Sequence, residues 1–358
     1  MKSYIPTINI SSLLKSDFNT LASKNTLRKI EKACVDIGFF QVSGHGIEIK
    51  KINNICKIGN RFFNSPNTNK NKLAPKKWNK KNRNIYRGYF PNTVNGKEGL
   101  DLGDLQIKSH NSKKYKSPYI EYLDLTKSFN KSSIESLSNY YDNIFSLSEI
   151  LFKGIIKLYK KDEAISNKAF SRLKTLSTLR FNYYPNQTKP VEISKQDGVA
   201  LGCETHVDSG VFTILYQDKK GGLQVQNRNN KKWYDVPFNK KALIVNTGLA
   251  LEYLSKGKFK ATNHRVLWNK TKRMSVPFFF EPSFDFKMHP SFLNGSKRCA
   301  LTQMEMFVTG NSKEKTFFGR IMGPIYKMDD TDANKFLKTV MFCLWLFTQY
   351  RLGRIDLR

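Results

Sequence analysis

Acidic residues and cysteines are scarce in this chain. Its 358 residues hold 29 Asp and Glu against 61 Lys and Arg, a formal net charge of +32. A surplus of that size raises nucleic acid or an anionic membrane as a partner. Yet the lysines are scattered with asparagines through every segment, as at 70–81 and 228–232, and no RNA-binding or zinc-finger motif organises them. A solvated, compositionally biased surface accounts for the charge, and nucleic acid is not expected as a partner. The positive field still favours small anions, over a Debye length of roughly 10 Å. The five cysteines, Cys34, Cys56, Cys203, Cys299 and Cys343, are widely separated and odd in number. That excludes a disulfide framework and a paired-cysteine metal site, and a reduced, cytoplasmic protein is expected. No apolar run approaches the roughly 20 residues of a membrane span. Val340–Phe347 is far shorter and reads as a C-terminal helix, and the Met1-Lys2-Ser3-Tyr4 start has no secretory pattern. Internal repeats are absent, as is any linker that would license a second independent domain.

What is present is a core. Hydrophobic residues make up 39% of the chain and aromatics 13%, too much for disorder. Helical periodicity runs from about Thr26 to Val35 with Gly38 as a stop, and a second helix is expected at 49–63. The Lys- and Asn-rich stretch 68–118 is expected to be mostly loop. Ser132 and Glu135 form a candidate capping box for a long helix striped by Ile134, Leu137, Tyr141, Ile144, Leu151, Ile155 and Leu158. From Leu176 the pattern changes to short strands at 176–184, 200–206, 211–217, 223–226, 233–236, 242–246, 262–268 and 273–281, with Gly221-Gly222 as a turn. Eight such strands suit a double-sheet jelly roll. The expected fold is mainly β with flanking helices. A helical, mixed region over 1–165 packs on a jelly-roll core over 166–290, followed by an extension with a helix over 291–358, all one structural unit.

Chemistry concentrates in that core. His206 and Asp208, in Glu204-Thr205-His206-Val207-Asp208, stand two apart in a predicted strand and share one face. His264 follows in another strand. Two imidazoles and one carboxylate occupy one face of a metal and leave the rest open, which suits a non-haem Fe(II) oxygenase better than a closed structural site. Strand parity puts Cys203 on the face opposite His206, as packing. Beyond His264, Arg273 and Ser275 again share a strand face. An Arg fork with a Ser hydroxyl matches a carboxylate. Asn182 and Tyr184, on one face of Arg180-Phe181-Asn182-Tyr183-Tyr184-Pro185, stand ready to serve the same group.

These motifs and their order make the chain resemble the iron- and 2-oxoglutarate-dependent dioxygenases of the isopenicillin N synthase-like family. The likeness runs from about residue 4 to about 285. It opens with Ile5-Pro6-Thr7-Ile8-Asn9-Ile10, where the family usually has Asp at the position of Asn9. It continues through 33–42, Gly44-His45-Gly46-Ile47, Phe62-Phe63-Asn64-Ser65-Pro66 and Arg87-Gly88-Tyr89, and is most specific from Asn263 to Pro282. The resemblance implies Fe(II) ligation by His206, Asp208 and His264. It implies that Arg273 and Ser275 bind the distal carboxylate of 2-oxoglutarate, with Tyr184 and Asn182 as auxiliary contacts. With O2 as the other co-substrate, the implied reaction couples decarboxylation of 2-oxoglutarate to succinate with hydroxylation, desaturation or ring closure of a small molecule.

Parity along the last strand extends the Arg273–Ser275 face to Pro277, Phe279 and Glu281. Phe279 and Glu281 are therefore substrate-pocket candidates, and Glu281 is open between a polar substrate group and a structural ion pair. Arg87 and Tyr89 are weaker candidates, open between lining the pocket and anchoring a loop. His45 reads as a turn residue, while His110 and His289 have no partner that sequence can name. Two other functions stay open. One is an oxidase of the isopenicillin N synthase type, using the same triad without 2-oxoglutarate and the clamp for its substrate's own carboxylate. The other is a non-catalytic basic protein that binds nucleic acid.

Overall fold

The computed structural model describes residues 4–288 except 16, 77, 85–86, 92–95, 108–121, 160–163, 187–188 and 284–285, together with 301–302. The expected C-terminal helix, most of the 291–358 extension, His110, His289, Cys299 and Cys343 lie outside the described residues. Thirteen strands build two facing sheets. They are β1 (Thr7–Asn9), β2 (Phe39–Ser43), β3 (Gly88–Phe90), β4 (Glu98–Leu102), β5 (Thr178–Tyr184), β6 (Glu192–Ile193), β7 (Ala200–His206), β8 (Phe212–Gln217), β9 (Leu223–Gln226), β10 (Trp233–Asp235), β11 (Ala242–Thr247), β12 (His264–Leu267) and β13 (Arg273–Phe280). The major sheet has the order β1-β2-β11-β8-β13-β5-β4-β3, the minor sheet β10-β9-β12-β7-β6. All eight strands expected in the core form, most within two residues of the expected bounds. The result is a jelly-roll core whose sheets stay open at their edges.

The N-terminal region holds strands where loop is expected. Within 68–118 the chain supplies β3 and β4, which extend the major sheet beyond β5 through the pairs Asp101 with Arg180 and Gly99 with Asn182. The Lys and Asn composition concealed them because both strands are short and Gly-containing.

The helices cover the outer face of this sheet. Helix Leu21–Asp36 starts where the Thr20 hydroxyl accepts the Ser23 amide at 3.1 Å. It ends before Gly38, whose φ of +77° would be strained for any other residue. Helix Ile49–Phe63 has the expected bounds and buries Ile52, Ile55, Ile58 and Phe62 on one stripe. The long helix Lys131–Leu158 is capped by Asn130, whose side chain accepts the Ser133 amide at 2.9 Å, rather than by the Ser132–Glu135 box. Its Tyr141 and Phe145 meet Phe278 edge-on, with ring centroids 5.2 and 6.3 Å apart. Among the described residues no helix is long and apolar enough to cross a membrane.

Candidate metal centre and co-substrate cavity

Between the two sheets lies a cavity of about 1140 Å³, counted with its open mouth. That is room for a keto acid and a further small molecule. At one end His206, Asp208 and His264 come together, their ligand atoms all within 4.8 Å of one another. Adjacent strands bring them there, since His206 of β7 pairs with His264 of β12.

Each side chain is held so that one donor faces the centre. His206 Nδ1 donates to the Glu204 carbonyl at 2.8 Å, and His264 Nδ1 to the Thr262 carbonyl at 3.1 Å. A carbonyl can only accept, so each ring carries a proton on Nδ1 and turns Nε2 inward. Asp208 Oδ2 is occupied by the Thr213 hydroxyl at 2.5 Å and the Asn246 amide at 2.8 Å. Its Oδ1 faces the two Nε2 atoms, at 3.8 Å from His206 and 3.7 Å from His264. Two imidazoles and one carboxylate, each braced from behind, fit a divalent ion such as Fe(II).

The floor of the cavity is the inner face of the major sheet. Arg273 pairs with Tyr184 and Ser275 with Asn182 across β13 and β5; Pro277 pairs with Leu215 and Phe279 with Thr213 across β13 and β8. All eight side chains line the cavity. Arg273 Nε donates to the Gly221 carbonyl at 2.6 Å, and its Cζ lies 4.8 Å from the Tyr184 ring centroid. Its Nη1 is buried with no hydrogen-bond partner among the described residues. A buried orphan donor costs about 1–3 kcal/mol, and a carboxylate placed between it and the Ser275 hydroxyl would satisfy it. Burial pushes the Tyr184 phenol up, so it stays a donor at neutral pH.

Some readings need correction. Arg87 does not line the cavity: its guanidinium donates to the backbone carbonyls of Leu176 and Ser177 at 3.2–3.3 Å and anchors the segment before β3. Tyr89 points elsewhere, with its hydroxyl donating to Glu98 Oε2 at 2.6 Å, where Lys70 also bonds at 2.7 Å. Glu281 falls just past the end of β13, where alternation no longer applies, and its carboxylate accepts from the Ser209 hydroxyl at 3.2 Å. Cys203 lines the cavity on the same side as His206. The register moves from His264–His206 to Val266–Cys203, so an extra residue in β7 forms a bulge and reverses the parity. His45 sits in a turn, its Nδ1 accepting the Ile47 amide at 3.2 Å.

Sequence reasoning also missed residues that the cavity uses. Thr213 and Asn246, which brace Asp208, are inward positions of β8 and β11 and carry no motif of their own. Arg180 shares a face with Asn182 and Tyr184, so the parity that found those two would have found it. Lys97 stands beside β4, in the stretch taken for loop. Its ammonium donates to Cys203 Sγ at 3.2 Å and lies 5.9 Å from the Tyr184 ring centroid. Burial favours neutral Lys97, but the fields of Cys203, Tyr184 and Glu204 outweigh it and hold the amine above its ordinary value.

Comparison with known proteins agrees with this geometry. The 2OG-Fe(II) oxygenase superfamily profile matches residues 175–282, and the profile described as non-haem dioxygenase in morphine synthesis N-terminal matches 5–139. A probable iron/ascorbate oxidoreductase of Dictyostelium discoideum is 30% identical over 320 residues, covering 81% of this chain and 84% of the relative. The chain belongs to the iron- and 2-oxoglutarate-dependent dioxygenases, in their isopenicillin N synthase-like family. Isopenicillin N synthase of Streptomyces griseus is 29% identical over 296 residues, covering 81% of this chain and 88% of the synthase. Among solved structures, full-length Neurospora crassa T7H in complex with alpha-KG and 5-formyluracil superposes with a TM-score of 0.66 at 20% identity, covering 83% of this chain and 92% of that one. This dioxygenase therefore works with Fe(II), 2-oxoglutarate and O2.

Proposed function

We propose that His206, Asp208 and His264 hold Fe(II), and that Arg273 and Ser275, with Tyr184 and Asn182 beside them, hold the distal carboxylate of 2-oxoglutarate. The observation that carries this reading is the buried Arg273 Nη1, without a hydrogen-bond partner among the described residues, on a side chain that lines the cavity beside Ser275. Fe(II) supplies the redox chemistry, oxidative decarboxylation of 2-oxoglutarate by O2 coupled to oxidation of a substrate C–H bond. The chain's own part is binding and orientation. Thr213 and Asn246 fix the Asp208 carboxylate, and the Glu204 and Thr262 carbonyls fix the two ring tautomers. The Arg273 fork and the Tyr184 phenol set how deep the keto acid sits. Phe39, Phe90, Leu215 and Phe279 keep water from the reacting end. The primary substrate is a small molecule, the protein works as a soluble cytoplasmic enzyme, and the +32 charge is a solvated surface. Lys97, second cation at the Tyr184 end, supports 2-oxoglutarate, a dianion, over the oxidase reading.

Anaerobic titration of the Fe(II)-loaded protein with 2-oxoglutarate tests this. A saturable visible charge-transfer band is expected, weakened in Arg273→Ala and lost in His206→Ala. Iron binding without such a band would transfer the assignment to an oxidase that binds its substrate's carboxylate at Arg273. Loss of iron binding by the wild-type chain would remove both.

A further inference from the structure

Among the described residues three Lys and Arg side chains line the cavity, Lys97, Arg180 and Arg273. Arg273 and Lys97 flank Tyr184 at the end assigned to the keto acid. Arg180 stands apart, between the Asn182–Ser275 rung and the Thr178–Phe279 rung of the same ladder. Phe279 is the cross-strand neighbour of Thr213, which braces Asp208. Arg180 therefore sits nearer the metal end of the floor than Arg273 does, and the assignments above give it no task.

Its geometry is fixed. Asp101, its cross-strand partner on β4, takes Nε at Oδ1 and Nη2 at Oδ2, both at 2.5 Å. The Asp101 side chain is 5% exposed and that of Arg180 30%, so Arg180 is the more open member of the pair. Its Cζ lies 5.2 Å from the Phe279 ring centroid. Nη1 makes no hydrogen bond among the described residues. Arg180 thus offers a rigid N–H edge whose charge Asp101 already cancels.

We infer that Arg180 is the primary-substrate handle, and that the substrate presents an uncharged carbonyl-type acceptor to Nη1 and an apolar or aromatic body to Phe39, Phe90 and Leu215. The reason is charge balance. A carboxylate entering here would find a cation already matched by a bidentate partner, amid walls that are mostly apolar, and would pay desolvation without full compensation. An amide, lactam or ketone oxygen needs only the one free edge and brings no net charge. Anchoring that oxygen at Arg180 sets which C–H reaches the metal end, so the residue determines specificity and regiochemistry. The inference rests on the co-substrate assignment, which reserves Arg273 for 2-oxoglutarate.

The test uses full-length protein loaded anaerobically with Fe(II) and 2-oxoglutarate. Four para-fluorinated probes of similar size are titrated: 4-fluorobenzamide, 4-fluoroacetophenone, 4-fluorobenzoate and 4-fluoroethylbenzene. Affinity is read from fluorine line broadening, which high-spin iron enhances for probes bound beside it. The amide and ketone should bind about tenfold more tightly than the benzoate and the hydrocarbon. The paired variant Arg180→Met with Asp101→Leu, which leaves no buried charge behind, should erase that preference. Asp101→Asn, which frees the Arg180 charge, should turn the preference towards benzoate. Wild-type protein that favours benzoate, or fails to discriminate, would overturn the inference, as would an amide preference that survives loss of Arg180. The 2-oxoglutarate charge-transfer band is recorded on the same samples. Its absence from the wild type would bring down the co-substrate reading, whereas a normal band with wrong probe preferences would bring down only this one.

Discussion

The two faces of β13 do opposite work from consecutive residues. Arg273, Ser275, Pro277 and Phe279 look into the cavity, while Met274, Val276, Phe278 and Phe280 are at most 4% exposed and belong to the hydrophobic core under the helices. β5 repeats the division, with Tyr184, Asn182 and Arg180 inward and Tyr183, Phe181 and Leu179 outward. Tyr183 stacks on Phe63 with centroids 5.0 Å apart, whereas its neighbour Tyr184 lies against Arg273. The strand period of two thus separates chemistry from stability by one residue. The cavity face keeps polar groups with unsatisfied edges, and the core face does not.

Substitutions on the two faces should therefore fail in different assays. The largest effect is expected at the triad. Asp208→Ala should abolish iron binding and turnover while the chain still unfolds cooperatively in urea titrations, at a cost of about 1–3 kcal/mol from the donors of Thr213 and Asn246 that lose their acceptor. Loss of the cooperative transition in that variant would break the comparison. On the other face, Phe278→Ala should cost about 3–5 kcal/mol in urea unfolding, the usual consequence of emptying a packed aromatic site. Its 2-oxoglutarate titration should keep a near-wild-type midpoint in the folded fraction. A displaced midpoint would mean that the core face also tunes the cavity.

How much of this was legible in the sequence follows from the same periodicity. Arg273, Ser275, Phe279, Tyr184 and Asn182 come together because they recur at even steps along unbroken strands, and His206 and Asp208 keep the same two-residue spacing although β7 ends at His206. Parity failed where a strand is interrupted. Cys203 reached the cavity through the β7 bulge, and Glu281 left it because β13 stops at Phe280. A bulge depends on cross-strand register, which residue order does not encode locally. Arg87 is anchored by Ser177, 90 residues away, and Tyr89 by Glu98 of the strand paired with its own, so both anchors became visible only with the contacts between strands. Lys97 and Asp101 were hidden in a segment whose composition suggested loop.

The comparison sharpens on the cavity face itself. Arg273→Ala should weaken 2-oxoglutarate binding roughly 100-fold, equivalent to about 3 kcal/mol from lost charge-assisted hydrogen bonds, with no more than a small change in unfolding midpoint. Titration of the charge-transfer band measures it; an unchanged midpoint would detach the residue from the co-substrate. A smaller effect is expected from Thr213→Val, which removes the hydroxyl on Asp208 Oδ2. Iron affinity should drop about 10–100-fold, as is usual for residues that brace a metal ligand, and competition with a coloured chelator reads it directly.

The smallest effect tests whether the minor sheet obeys the same division. His264 and Val266 of β12 line the cavity, while Arg265 between them is 2% exposed and pairs outward with Asp197, Nη2 to Oδ2 at 2.7 Å. Its Cζ also lies 4.0 Å from the Trp233 ring centroid. The Arg265 guanidinium, helped by the Ser194 side chain, holds the Asp197 carboxyl well below the usual carboxylate range. A carboxyl whose folded value lies below its unfolded value of about 3.9 stabilises the fold above that pH. The contribution fades as pH falls below the unfolded value towards the folded one. Asp197 is 31% exposed, so water screens the pair and its worth is about 1 kcal/mol or less. Asp197→Asn should therefore lower stability slightly at neutral pH and flatten the acid limb of the unfolding profile below about pH 4. Iron affinity at neutral pH should not move, because the ligand faces the other way. A variant that lost iron while keeping its acid profile would show that β12 transmits across its two faces, and that one residue of separation is not enough there.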